Sequence, residues 1–482
     1  MTWQTTTDRN QSWPSLALLA WLILLSTDTD GRSQDTAGPD PEKPTVRLVE
    51  DPKPDRLLEV TAHLDVRGRI LAPVGVDRVV PLPLQASARL SWQTRRLPAD
   101  GDFHRSLRTL RSFASAISKV RVDRRTTESS LRTSRPTIVT EGTPSGLRHY
   151  SLEGPLTGDE LELLELPADP LALIGTLPLG QVPHDHAWTP GRWTLPLITG
   201  LNAVTRGSLK GRIVKVTATT ANVQLEGSAE GAAGGARSQV TFSGSLVFDH
   251  QRGFLRQASI TIEEHRQAGP ISPGLEVVAQ VQIERKPATS KARLDRAVLS
   301  TCPKKPTPAH LQVLLTTPGN GRLLHDRNWH VFHQTPTVSI LRRLENGRLV
   351  AQCNLSTAPE VAAGSGTGRN AFLGDVKTAL GPRLRELVSI EPLKSRPGQR
   401  FQRGWRVTAT GIDHGLPMHW FYYLCTHPSG RQLSLVFAVE SDRLKTWARR
   451  DLSLIHLSAP TRPRLSAYAV FCLKKKRGGG GG

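Results

Sequence analysis

The chain has 482 residues, of which 38% are hydrophobic and 22% charged. That is long enough for two to four domains, and too apolar and varied for a disordered chain or a coiled coil. The 63 basic against 42 acidic residues give +21, a balance that raises the question of an anionic partner. Six of the positive charges, Arg462, Arg464, Lys474, Lys475, Lys476 and Arg477, lie at the extreme C-terminus with no acidic residue among them. The other basic residues are mostly arginines scattered along the chain, so no nucleic-acid partner is expected.

From Leu16 to Leu25 the sequence is unbroken apolar. Ten residues rising ~1.5 Å each cannot cross a ~30 Å hydrocarbon core as a helix. The segment reads as the hydrophobic region of a signal peptide over residues 1–28, which predicts an extracytoplasmic (periplasmic or secreted) protein with no transmembrane span after cleavage. Residues 29–55, with Pro39, Pro41, Pro44, Pro52 and Pro54, read as a linker.

Residues 56–286 carry the alternation of half-buried strands. Val240, Phe242, Gly244, Leu246 and Phe248 share one parity; after the turn Asp249 to Gly253, Phe254, Ala258, Ile260 and Ile262 alternate with Gln257, Ser259, Thr261 and Glu263. This pair predicts a hairpin. Val277, Ala279, Val281 and Ile283 add another strand, and the whole predicts a large, curved, half-barrel-like antiparallel sheet with one wet face. One helix interrupts it: Thr157-Gly-Asp-Glu160 is a capping box, in which the Thr hydroxyl takes the amide of Glu160 and the Glu carboxylate returns to the amide of Thr157.

Residues 287–324, with Pro287, Pro303, Pro306 and Pro308, read as a second linker. A smaller α+β domain is then predicted over 325–457. Asn346-Gly347 accepts the positive φ of a type I′ hairpin turn, and Phe372, Val376 and Leu380 recur at helical spacing within 369–380 before Gly381-Pro382. Residues 458–482 read as a non-native tail, because Lys-Lys-Lys-Arg followed by glycines is what adenines and then guanines encode, as in a translated library adapter. The fold class predicted is thus α+β and β-rich, in two domains.

The runs Gly154-Pro-Leu-Thr-Gly-Asp-Glu, Leu246-Val-Phe-Asp, His325-Asp-Arg-Asn-Trp-His-Val, Leu349-Val-Ala-Gln-Cys-Asn-Leu-Ser and Trp420-Phe-Tyr-Tyr-Leu resemble an uncharacterised family of secreted planctomycete proteins, over about residues 56–455. Element order in the second domain resembles the PsbP-like fold, which implies a binding or assembly module. Neither resemblance implies catalytic residues or a cofactor.

Candidate chemistry is sparse. Cys353 and Cys425 lie in strand-like runs of one domain and are a possible disulfide, with two separate buried thiols as the other reading. His184 with His186, and His330 with His333, are the pairs that could begin a metal site, which needs three or four ligands. Asp159, Glu160, Glu162 and Glu165 read as the solvated face of the capped helix, and Trp405, Trp420 and Tyr422 as a possible binding groove or a core. Together these predict an exported, non-enzymatic envelope protein, without cofactor or metal, that binds a protein partner or an apolar ligand. A metal-dependent hydrolase built on the His184/His186 or His330/His333 pair is the alternative.

Overall fold

The computed structural model describes residues 44–53, 56–74, 78–97, 107–289, 293–393, 401–447 and 457–458. The expected signal peptide and residues 459–482 of the expected tail lie outside the described residues. From Thr45 onward the chain forms one compact unit.

Period-two alternation folds as it reads. Strands β2 (Leu58–Val74), β3 (Arg78–Arg96), β4 (Arg108–Val122), β5 (Arg125–Ser130), β6 (Thr137–Thr143) and β7 (Gly146–Ser151) join β10 (Ala187–Trp188), β11 (Ala203–Val216), β12 (Thr220–Ala233), β13 (Ala236–Asp249), β14 (Phe254–Arg266) and β15 (Gly274–Pro287). They make one 12-stranded sheet in the order β10-β11-β12-β13-β14-β15-β2-β3-β4-β6-β7, with β5 beside β4. Every pairing in it that has been described is antiparallel, and β15 meets β2 from Leu58↔Pro287 to Leu71↔Gly274.

Residues directly opposite one another on neighbouring strands face the same side. Cross-strand rows such as Ile283–Ala62–Leu90–Ala116 therefore place one apolar stripe after another on a single face. The other face carries His63, Asp65, Arg67, Gln257, Glu263 and Gln280, all exposed. A sheet dry within and wet without has the opposite polarity to a membrane-spanning barrel, whose outer band is apolar. Among the described residues no helix is long and apolar enough to cross a membrane.

The sheet is not closed edge to edge. Its gap is bridged by residues 158–201, which hold α1 (Gly158–Leu164), α2 (Pro170–Ile174) and α3 (Leu195–Thr199). Helix α3 packs on both β7 and β11, from opposite ends of the strand order. Leu163, Leu164, Leu171, Leu173, Leu195 and Ile198 enter the same buried core as Val60, Trp92, Phe242 and Phe248. Each such side chain, fully withdrawn from water, stabilises by ~1.5–3 kcal/mol. Gly227 is required here: any Cβ on it would collide with the ring of Phe242, which lies across β12. The predicted capping box forms, with Thr157 accepting from the Glu160 amide and Glu160 from the Thr157 amide.

A second sheet of seven strands runs β18 (Trp329–Gln334), β19 (Val338–Glu345), β20 (Arg348–Ala358), β24 (Gln432–Glu440), β23 (Leu416–Thr426), β22 (Arg403–Asp413), β21 (Leu384–Pro392). Asn346 and Gly347 adopt φ 50 and 75 at the β19–β20 turn, as a type I′ hairpin requires. Helix α5 (Arg369–Leu380) covers one face through Phe372, Val376 and Leu380. The opposite face buries Leu341, Leu355, Tyr423 and Phe437 with Trp329 and Trp447.

Two expected linkers carry packed structure where they are described; residues 29–43 of the first lie outside the described residues. Within 29–55, β1 (Thr45–Arg47) pairs with β9 (Gln181–Pro183), and Leu48 is fully buried. Within 287–324, Leu294 is fully buried beside Leu110, Val139 and Tyr150, followed by α4 (Arg296–Ser300) and strands β16 (Val313–Thr316) and β17 (Arg322–His325). β16 runs parallel to β8 (Leu156–Thr157), at the start of α1, and β17 pairs with β25 (Leu457–Ser458). The stretch from Leu294 to His325 therefore joins the two sheets instead of separating two domains. Its prolines misled because Pro308 and Pro318 open short 3-10 helices, where a missing N–H costs nothing.

Candidate functional site

The residues singled out in the sequence do not meet. His184 and His186 sit on the turn between β9 and β10, where the His186 ring stacks on Trp188 at 6.1 Å between centroids, and Trp188 Nε1 donates to the Thr176 carbonyl at 2.8 Å. His330 and His333 lie on edge strand β18 of the other sheet, opposite Arg342 and Ile340, with a bulge between them. Among the described residues no three His, Cys, Asp or Glu side chains gather so as to hold a metal ion.

The possible disulfide is corrected: Cys353 and Cys425 are free, buried thiols. On β24, Cys353 faces Phe437 from one side and Cys425 faces Leu433 from the other. Two strand spacings of ~4.8 Å and four residues of ~3.4 Å hold them far beyond the ~7 Å Cα limit for a bridge. The groove reading is corrected as well. Trp420 and Tyr422 are buried under α5 with Phe372 and Val376, and Trp405 packs at the margin with its Nε1 donating to the Thr367 carbonyl at 2.8 Å.

The carboxylate row divides. Asp159, Glu162 and Glu165 keep exposed surface, as expected, although the Glu162 head group stands in a crowded stretch beside α1, whereas Glu160 is buried. Glu160 takes the Arg132 guanidinium at 2.6 Å on each oxygen. Crowding by the surrounding protein, with the like charges of Asp159 and Glu165, raises the Glu162 carboxyl to about 7.

What the fold does build is a graded apolar face inside the curved sheet. At the end where residues 158–201 enter, Val60, Ala62, Leu90, Ala116 and Ile283 are buried. Two and more rows on, Val66 with Ala86 and Val120, then Ile70 with Leu82 and Leu275, face the same side but are only half-buried. The inner face is thus plugged at one end, while at the other half-buried Val66, Ala86, Ile70 and Leu82 are interleaved with buried Leu84, Val122 and Ala279, a shallow apolar trough whose smallest positions are Gly68 and Ala86. The trough is flanked on β13 and β14 by Ser238, Glu264 and Arg266, the last two opposite Val277 and Leu275. Glu264 Oε1 accepts from the Ser238 hydroxyl at 2.7 Å and from Arg266 Nε at 2.8 Å and Nη2 at 2.7 Å. Sequence reasoning passed over this pair, although the signal is present: Glu264 and Arg266 continue the inward parity of Ala258, Ile260 and Ile262, where a charge is unexpected.

Two two-pronged ion pairs stand at the plugged end. Arg285 donates Nη1 and Nη2 to the two oxygens of Glu50, both at 2.7 Å. Arg111 does the same to Asp169 at 2.7 and 2.6 Å. Although burial opposes ionisation, these guanidinium partners hold both carboxyls below their ordinary range. Such pairs fix geometry, and the positions they occupy are interior.

No family model matches the chain, and no curated protein matches it. Among solved structures, one described as "Lipid-protein interactions in lipovitellin" is similar at 8% identity and TM-score 0.28, covering 50% of this chain and 27% of that one. This chain therefore spans about a quarter of the length of that structure. OmpF of Salmonella typhi in complex with daunomycin is similar at 8% identity and TM-score 0.11, covering 80% and 96%. OccK5 of Pseudomonas aeruginosa is similar at 6% identity and TM-score 0.12, covering 82% and 98%.

Proposed function

We propose that this chain is an exported, non-enzymatic binding protein of the cell envelope that holds an apolar ligand in the half-covered end of its curved sheet. The supporting observation is the continuous apolar inner face, wholly buried at Ala62 and Leu90 and further along carrying half-buried Val66, Ala86, Ile70 and Leu82 among buried Leu84 and Val122. Apolar side chains on a concave surface gain by leaving water, and a chain-like hydrocarbon supplies that cover at ~25 cal/mol per Å². The wet outer face keeps the protein itself out of the bilayer. Export rests on the apolar N-terminal segment, and the envelope assignment on the likeness to secreted planctomycete proteins.

The test is filling the trough. Purified full-length protein stripped of lipid is titrated with oleyl alcohol and followed by tryptophan fluorescence or native mass spectrometry. Binding of about one equivalent is expected, with loss in Ala86→Trp while the circular dichroism spectrum is retained. Absence of binding to the parent protein, or equal binding by a folded Ala86→Trp variant, overturns the proposal.

A further inference from the structure

Glu264 and Arg266 are the charged side chains described on the inner face of the half-covered end of β13, β14, β15, β2, β3 and β4, and they stand beside the apolar trough rather than in the plug. An ion pair at that parity gives up apolar contact that Val or Leu would make, and a part-buried pair must offset the desolvation of both charges. The way the pair is assembled is more informative. A guanidinium carries five N–H donors in a planar fork. Glu264 occupies its Nε/Nη2 side through the single oxygen Oε1, which also takes the Ser238 hydroxyl. The Nη1/Nη2 end of the fork is left for a second carboxylate, and the Arg266 side chain retains 25% of its exposure.

We infer that Arg266 receives the carboxylate of an amphipathic ligand, a long-chain monocarboxylate whose hydrocarbon lies along Leu275, Ile70, Leu82, Val66 and Ala86. Glu264 and Ser238 hold the guanidinium in place: the carboxylate fixes one edge of the fork, and the hydroxyl fixes the carboxylate. Arg266 and Leu275 are directly opposite, so the charge stands at the first row of the hydrocarbon path. The occupant is set by that adjacency of charge and apolar surface. A neutral hydrocarbon leaves the guanidinium edge unused, and a compact anion leaves the trough uncovered. This assignment rests on the trough being a binding surface, and it adds the class of headgroup.

The experiment separates the two ideas with a matched pair of probes, oleate and oleyl alcohol, titrated into lipid-stripped full-length protein. Hydrogen bonds to a charged group are worth enough for a preference of about tenfold or more. The parent protein is expected to prefer oleate by that factor. Arg266→Gln should abolish the preference while binding oleyl alcohol as before, and Arg266→Lys should restore part of it. If the parent binds both probes equally, or if Arg266→Gln still prefers oleate, the headgroup assignment is overturned while the apolar trough stands. If neither probe binds the parent, both are overturned.

Discussion

Arg111 and Asp169 form a two-pronged ion pair, 2.7 and 2.6 Å long, with both side chains almost wholly withdrawn from water. Asp169 also caps α2 by accepting from the Leu171 amide at 2.8 Å. One carboxylate therefore pins the plug segment to β4 and starts the helix that fills the sheet. Removing it strands a buried cation. Asp169→Ala is expected to cost about 3–5 kcal/mol in urea unfolding of the full chain. The double variant Arg111→Met/Asp169→Leu should cost less than Asp169→Ala alone, because no unpaired charge remains. An additive double variant would show that the pair itself is not what holds the plug.

Cys353 and Cys425 should stay reduced even in an oxidising compartment. Burial raises both thiols, Cys425 to about 12 and Cys353 further, so little reactive thiolate exists near neutrality. Native protein is expected to leave both unlabelled by a thiol reagent over hours, with prompt labelling in denaturant. A mass shift of two hydrogens on reduction of purified protein, localised to these residues, would contradict the register of β20, β24 and β23.

Trp420 and Tyr422 lie beneath α5 with Phe372, Val376 and Leu380. Phe372→Ala opens a cavity there and is expected to destabilise by about 3–5 kcal/mol, with a red shift of tryptophan emission as water reaches Trp420. A groove would respond otherwise: the substitution would leave stability within ~0.5 kcal/mol.

Much of the molecule is legible in local pattern. Alternation from Val240 to Phe248 and from Phe254 to Ile262 gives β13 and β14, Asn346-Gly347 gives the β19–β20 turn, and the Thr157–Glu160 box gives the start of α1. What stays hidden depends on partners far apart in the chain. Glu50 meets Arg285 across 235 positions, and β8 meets β16 across about 157, from Leu156 to Val313, so neither leaves a short-range signature. The plug was illegible for a related reason. Residues 163–201 are apolar without period, and only the curvature of the sheet around them makes them interior. The candidate site was missed because Glu264 and Arg266 extend a run of polar residues that begins at Glu263 on the wet face. Parity, not composition, distinguishes them.

Acid should weaken the fold in two stages, and the order follows from the signs of the shifts. His149 is buried beside Thr140, its Nδ1 3.0 Å from the Thr hydroxyl. Burial, with the nearby charge of Arg111, lowers it from 6.5 to about 3. A lowered histidine stabilises above its unfolded value and loses that contribution as pH falls from 6.5 toward 3. His325 and His330, also lowered by burial, act in the same sense. Glu162 acts in the opposite sense. Its carboxyl, raised from 4.5 to about 7, disfavours the folded state when ionised and relieves that cost as pH falls from 7 to 4.5. The two therefore oppose each other between pH 6.5 and 4.5. Below 4.5 the relief is exhausted, His149 continues to titrate, and the carboxyls held low by arginine, Glu50, Asp169 and Glu160, begin to lose their pairs. The urea midpoint of the parent is expected to fall gradually from pH 7 to about 4.5 and then steeply. In Glu162→Gln the decline between pH 6.5 and 4.5 should be steeper, because the opposing group is gone, and in His149→Gln the slope should be shallower. A Glu162→Gln profile that overlays the parent would mean that this carboxyl titrates normally.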